Sequence, residues 1–469
     1  MTSSQLFSQP SPGVANHQAP SLMSDLLDDT ARRASRYLES LDSRSVAPSK
    51  DAVAALKRLE RAFPERVSPP GEVIAELDEI GSPATVTSAG GRFFGFVFGG
   101  SLPVTVAAGW LATAWDQNAG LVVGSPISAA LEEVAARWLI DIFHLPPQSG
   151  VGFVTCATAA NFSALAAARH ALLARAGWDV EARGLFGAPP ITVIAGEEVH
   201  ASVQKALSMV GFGRERVVRV PVDNQGRMRL DALPSVDDRT VVCVQAGNVN
   251  TGSFDPVAQI CERARSQGAW VHVDAAFGMW ALAAPARVHL AAGIEHADSW
   301  ACDAHKWLNV PYDSGLVFTR DPLALRAAMS TSGAYLAQDE ERIPYQYTPD
   351  FSRRARGIEV WAALRHLGRE GLADLVERLC RRATQFAEGL TAAGYHILNE
   401  VVLNQVLVSF GSAERTHEVI KRIQEDGTCW CGGTVWQGKT AMRISVSSWA
   451  TTEEDVERSL AAVLRAAKS

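Results

Sequence analysis

Between residues 128 and 330 the chain repeats one local pattern, a short apolar, β-branched run followed by a longer stretch with apolar residues at helical spacing. The runs fall at residues 151–154, 191–195, 217–220, 241–245, 270–273 and 315–319. A run that is apolar at every position is buried on both faces of a sheet, and a helix-length connection returns the chain to the start of the next parallel strand. This alternation predicts an α/β fold with a mostly parallel sheet flanked by helices. Functional side chains then gather at the carboxyl ends of the strands.

The segments around this block read differently. Residues 1–20 are rich in Ser, Pro and Gln and predict disorder, with neither the basic start nor the apolar core of a leader peptide. Residues 21–95 form a helical N-terminal segment, with amphipathic stretches at 22–41 and 51–63 and a Pro/Gly break at 68–71. The large domain spans 96–357. Residues 358–469 predict a small C-terminal α+β domain, with helices at 358–392, 416–425 and 452–466 and strands at 405–410 and 441–446.

Composition excludes several classes. A net charge of −7 without any dense Lys/Arg stripe offers nucleic acid no electrostatic footprint. Seven cysteines, an odd number without paired CxxC spacing, argue against disulfides and zinc, and no metal site is expected. No segment holds 18 uninterrupted apolar residues, so no membrane span is expected and the protein is predicted to be soluble and cytoplasmic. Seven lysines stand against 37 arginines, which makes an interior lysine conspicuous.

That lysine is Lys306, in Asp303-Ala304-His305-Lys306-Trp307, roughly thirty residues after a buried-looking strand that ends at Asp274. A lysine that condenses with an aldehyde must be uncharged, so it needs desolvation or a positive neighbour. An acid delivered by a strand, as Asp274 is, can hold a cofactor's ring nitrogen protonated. The pair reads as a pyridoxal phosphate site. At residues 152–161 a strand runs into a helix through Cys156, Ala157 and Thr158, whose free N–H groups and small side chains suit a phosphate, although hydroxyl residues also cap helices. His200 follows the next strand, where it can stack on the cofactor ring or simply cap a helix. Thr251 ends another strand and reaches either the ring hydroxyl or the polar groups of its own turn.

These residues resemble the group II pyridoxal phosphate-dependent amino acid decarboxylases, the family of aromatic L-amino acid, histidine and glutamate decarboxylases. The resemblance covers most of residues 75–460 and is most specific at His272-Val273-Asp274-Ala275-Ala276, Ala297-Asp298-Ser299-Trp300 and His305-Lys306-Trp307-Leu308. It implies the fold type I architecture, with a seven-stranded, mostly parallel sheet, and a homodimer with active sites at its interface. It further implies that Lys306 binds the cofactor aldehyde, Asp274 pairs with the ring nitrogen, His200 stacks on one face and Ala276 packs on the other. Cys156, Ala157, Thr158, Asp303 and His305 fall at the phosphate. Two departures stand out. Cys156-Ala157-Thr158-Ala159-Ala160-Asn161 replaces the Gly-Gly-Thr-Glu-Ala-Asn of many relatives, and Asp303 replaces an asparagine. An acid beside a phosphate must turn away, for which His305 is the expected partner.

The implied reaction is decarboxylation of an L-amino acid to the amine and carbon dioxide. Phe93, Phe94 and Phe96 suggest an apolar wall and an aromatic or hydrophobic substrate, whereas Arg92 beside them admits an acidic one. Relatives return a proton to Cα from a loop tyrosine, and residues 333–354 offer Tyr335, Tyr345 and Tyr347, with Tyr345 preferred and Tyr347 next. Arg353, Arg354 and Arg356 either clamp phosphate from a neighbouring subunit or form salt bridges. Aldehyde synthesis, transamination, carbon–carbon lysis and a cofactor-binding protein without turnover are the competing outcomes, because a fold does not fix a reaction.

Overall fold

The computed structural model describes residues 19–331 and 342–468. The expectation for the first residues and the tyrosine at 335 fall outside the described residues. The chain packs as two compact units, divided between Thr87 and Ser88. In the first, Arg33 on the helix Ala19–Glu39 bonds Asp29 at 2.7 Å and Asp78 at 3.0 Å. Ser49 caps the short helix Lys50–Ala55 by accepting from the Ala52 N–H.

The second unit is built on a sheet of seven strands: β1 (Gly150–Val154), β2 (Thr192–Gly196), β3 (Val218–Val220), β4 (Thr240–Gln245), β5 (Trp270–Asp274), β6 (Ser299–Asp303) and β7 (Gly315–Thr319). Their order is β1-β7-β6-β5-β4-β2-β3. β2 to β6 pair in parallel, while β7 runs antiparallel to both neighbours. The reason is length. Only residues 304–314 join β6 to β7, too few for a crossover, so the chain must turn straight back. Almost every residue of β1, β4, β5, β6 and β7 is buried, because helices cover both faces. β6 is the strand the apolar pattern missed. Its sequence, Ser-Trp-Ala-Cys-Asp, contains no β-branched residue, and its place is fixed by pairing with β5 and β7.

A second sheet follows, with β8 (His396–Ile397), β9 (Gln405–Ser409), β10 (Gly432–Trp436) and β11 (Lys439–Ser445) in the antiparallel order β10-β11-β9-β8. The helix Ala413–Asp426 and the long helix Gly357–Ala392, kinked at Gly368, pack on it, and the helix Glu453–Lys468 packs on both of those helices. Among the described residues no helix is long and apolar enough to cross a membrane.

Candidate active site

The carboxyl ends of β1, β2, β5 and β6 deliver Thr155 to Ala159, Glu198 to Ser202, Asp274 and Asp303. Lys306 follows β6 directly, in the single helical turn Ala304–Trp307. The turn is held by the N–H groups of Ala304 and His305, both donating to the Ser314 carbonyl, and by the Trp280 indole on the Asp303 carbonyl at 3.0 Å. A second segment closes over it. A Cβ on Gly99 would lie 1.7 Å from the Lys306 carbonyl oxygen, so only glycine lets residues 95–100 rest on the lysine backbone.

Lys306 Nζ lies 2.9 Å from Asp303 Oδ2, and Asp303 Oδ1 accepts from the Ala157 N–H at 2.6 Å. The charge nearest the lysine is therefore a carboxylate and not a positive neighbour, which leaves desolvation as the other of the two expected means. Asp303 has turned onto the lysine and the helix start more than onto His305, whose Nε2 is 3.6 Å away. The helix Ala157–Arg175 makes its first intrahelical bond from Ala160 to Cys156. With the Ala157 N–H taken, those of Thr158 and Ala159 remain for an oxyanion. Cys156 is half-buried at the cap and offers no side-chain bond to it.

Asp274 is buried, and its two bonds within the protein are long: 3.3 Å from the Ala276 N–H and 3.4 Å from the Ser202 hydroxyl. Burial pushes its carboxyl above the usual range, opposed by the neighbouring His200 and Lys306. His200 caps the helix Ala201–Met209. Its Nδ1 accepts from the Ser202 N–H at 3.2 Å, and burial lowers its basicity. His305 accepts from the Ser314 N–H through Nδ1, and burial lowers it as well. Ala276 is half-buried at the end of β5, and its carbonyl accepts from the Asp303 N–H at 2.8 Å. Thr251 is committed to its turn, its hydroxyl donating to the Gln225 carbonyl at 2.7 Å and lying 2.8 Å from Ser253 Oγ.

The three phenylalanines separate. Phe94 faces the core against Phe386, Phe93 stacks on Trp430 at 5.0 Å, and Phe96 is 56% exposed. An aromatic path runs from the lysine turn outward: His305 to Tyr312 at 4.2 Å, Tyr312 to Phe98 at 5.4 Å, Phe98 to Phe93 at 5.3 Å, then Trp430. Phe98, Tyr312 and Trp430 escaped the sequence reading because they meet from three distant segments. Arg92 is buried, donating to the Thr428 carbonyl and lying 3.5 Å from Asp455, so it does not present a cation to an acidic substrate.

Tyr345 and Tyr347 are buried in the 3-10 turn Pro344–Tyr347. Tyr345 packs on Phe351 at 4.6 Å, and the Arg342 guanidinium covers the Tyr347 ring. Among the described residues no hydrogen bond or ring contact joins either to the Lys306 cluster. The arginines that follow form intrachain salt bridges, Arg353 with Glu132, Arg354 with Glu359 and Arg356 with Asp313.

A lysine, an acid, a histidine and a helix start with free N–H groups thus meet at one end of the sheet. The family model described as the pyridoxal-dependent decarboxylase conserved domain matches residues 54–411. The chain belongs to the pyridoxal-dependent decarboxylase family. Tryptophan decarboxylase 1 of Oryza sativa subsp. japonica is 27% identical over 463 residues, covering 90% of this chain and 89% of that protein. The aromatic-L-amino-acid decarboxylase of Bacillus atrophaeus is 27% identical over 450 residues, covering 89% and 90%. The crystal structure of Oryza sativa TDC with PLP and tryptamine shares the fold, with a TM-score of 0.88 at 22% identity over 97% of this chain and 99% of that one. As a member of this family the decarboxylase is a carboxy-lyase that uses pyridoxal phosphate. Its residues fit that group: the first-turn N–H groups suit the phosphate, Lys306 suits the aldehyde, and the buried, weakly bonded Asp274 suits a cationic ring nitrogen.

Proposed function

We propose that the protein decarboxylates an aromatic L-amino acid to the amine and carbon dioxide, as a homodimer in the cytoplasm. The observation that carries this reading is the meeting of Lys306, Asp274 and His200 at the strand ends, with an aromatic path leading away from the lysine turn. Pyridoxal phosphate, when bound, supplies an electron-accepting ring that stabilises the charge left at Cα as the carboxylate departs. Lys306 holds the aldehyde carbon, and the Thr158 and Ala159 N–H groups hold the phosphate. Asp274 keeps the proton on the ring nitrogen, because its buried carboxylate gains most from a cationic partner. His200, kept neutral by burial, would face the ring without adding a competing positive charge. Ala276 would pack on the other face.

Phe98, Tyr312, Phe93 and Trp430 supply an apolar wall that excludes water and flanks an aromatic side chain. Arg92, the cation of that loop, is spent on Asp455, which favours an aromatic over an acidic substrate. Support for the dimer comes from the helix Pro103–Trp115, which exposes Trp110, Leu111 and Trp115 at 48%, 52% and 44%. We assign the N-terminal segment, residues 21–95, to the same dimer interface. All seven cysteines are free thiols, as a reducing compartment such as the cytoplasm keeps them.

The test is a panel of single amino acids incubated with the holoprotein, with amine and carbon dioxide measured. Amine from tryptophan, tyrosine or phenylalanine is the expected result. Turnover of only aliphatic or acidic substrates, or release of an aldehyde with peroxide in place of amine, overturns the proposal.

A further inference from the structure

Behind the site lies a row of buried polar side chains that none of the roles above uses. The Trp270 indole donates to Ser299 Oγ at 2.9 Å, and Ser299 Oγ lies 2.9 Å from His272 Nδ1. His272 Nε2 lies 2.8 Å from Asn161 Oδ1, and Asn161 Nδ2 donates to Ser202 Oγ at 3.4 Å. Ser202 Oγ is 2.7 Å from His200 Nδ1 and 3.4 Å from Asp274 Oδ2. Ser299, His272 and Asn161 are wholly shielded from solvent, and they come from β6, β5 and the helix Ala157–Arg175 respectively.

The row runs one way. An amide oxygen can only accept, so the His272 Nε2 facing Asn161 Oδ1 carries the ring proton, and Nδ1, left unprotonated, takes the hydrogen of Ser299, whose oxygen receives the Trp270 indole N–H. Burial pushes His272 down to about 3, so the ring is neutral and carries its proton on Nε2. With its oxygen given to His272, the Asn161 amide turns its nitrogen toward Ser202. Ser202 Oγ, receiving from Asn161, has one hydrogen left, and His200 Nδ1 is its nearest acceptor. The other end agrees independently: the backbone N–H of Ser202, which can only donate, also points at His200 Nδ1. Both ends place the His200 proton on Nε2, which makes no hydrogen bond among the described residues and is left for the cofactor or substrate.

We propose that the five hydrogen bonds from Trp270 to His200 form a positioning relay that locks His200 in its Nε2-protonated tautomer. Ser202, Asn161 and His272 are positioning residues that act through His200. The inference rests on the reading that His200 faces the cofactor, but its central claim concerns a tautomer and holds with or without cofactor bound.

The test is magic-angle-spinning 15N spectroscopy of histidine-labelled protein, with and without pyridoxal phosphate. The His200 signals are assigned by their loss in His200→Gln and the His272 signals by their loss in His272→Gln. The native protein is expected to show His200 with an unprotonated Nδ1 and a protonated Nε2. In Ser202→Ala and in Trp270→Phe the separation between the two His200 nitrogens narrows as the second tautomer becomes populated, and Ser202→Thr keeps the native pattern. Packing alone leaves the tautomer of a distant histidine untouched, so a change in Trp270→Phe distinguishes a relay from mere core filling. Three results overturn the proposal: a native His200 protonated on Nδ1, His200 signals unmoved in both variants, or a change confined to Ser202→Ala. If either variant is too unstable to hold the fold, Asn161→Asp replaces it, with the same reading of the His200 signals. Borohydride reduction of the holoprotein is run in parallel. Absence of an adduct on Lys306 sinks the cofactor reading while leaving the tautomer result standing.

Discussion

Replacing Asp274 by asparagine keeps the shape of the side chain and removes one buried charge, so its effect can be worked from the site. Asp274 is 4% exposed, and the protein gives it only two long hydrogen bonds, at 3.3 Å and 3.4 Å. In the proposed role its strong partner is the cationic ring nitrogen. Truncating one member of a buried charge pair costs about 2–5 kcal/mol. A central value of about 3 kcal/mol corresponds to roughly a hundredfold in an equilibrium or rate constant. Asp274→Asn is expected to weaken cofactor binding and lower kcat/KM by a combined factor of this order, with the fold intact. Cofactor affinity is measured by quenching of tryptophan fluorescence on reconstitution, and kcat/KM by carbon dioxide release. The pH dependence carries a sign. Without cofactor, burial holds the Asp274 carboxyl above its usual range, so protons compete with the ring cation, and wild-type affinity falls as pH is lowered through that raised range. Asp274→Asn lacks this limb. If it binds cofactor and turns over within about threefold of wild type, with the same dependence on pH, the role given to Asp274 is wrong.

Three further outcomes follow from the geometry. Arg353→Met leaves Glu132 buried without its bonds at 2.7 Å and 2.8 Å and is expected to cost about 3–5 kcal/mol in urea unfolding. The double variant Glu132→Leu/Arg353→Met recovers most of that loss, and a double variant no more stable than the single refutes the account. Asp255, desolvated among β-strand ends, is pushed up to about 6 from 3.8, so its contribution to stability is fully present below about pH 4 and is lost as pH rises through 6. The loss is about 3 kcal/mol and should be absent from the stability-against-pH curve of Asp255→Asn; superimposable slopes refute it. Tyr345→Phe and Tyr347→Phe should each keep kcat within about twofold, since both rings serve packing. A loss of about tenfold or more in either variant restores that hydroxyl as the proton donor.

What the sequence made legible was whatever a local pattern could carry. β-branched runs exposed six of the seven strands of the main sheet, and Lys306 stood out because lysine is scarce here. β6 stayed hidden because Ser-Trp-Ala-Cys-Asp acquires its strand character from pairing with β5 and β7 rather than from propensity. Tyr345 looked like a loop tyrosine because its surroundings are Pro-rich and polar, yet the chain folds it back so that its N–H donates to the Gly120 carbonyl. Phe94 differs from Phe96 only in which way the backbone turns, and composition carries no record of that turn. The relay to His200 needed four segments at once, so no spacing rule could expose it, although the histidine two residues before Asp274 was in plain view.

The bare α-carbon at Gly99 has a practical consequence for anyone redesigning substrate choice. Because the strip carrying Phe96 and Phe98 lies directly on the carbonyl of the lysine, the proposed cofactor anchorage and side-chain selection share a single piece of main chain. Enlarging the wall from that strip disturbs the lysine first. Trp430 reaches the same wall from the far end of the polypeptide, so it is the position from which preference can be altered while the anchoring lysine keeps its place.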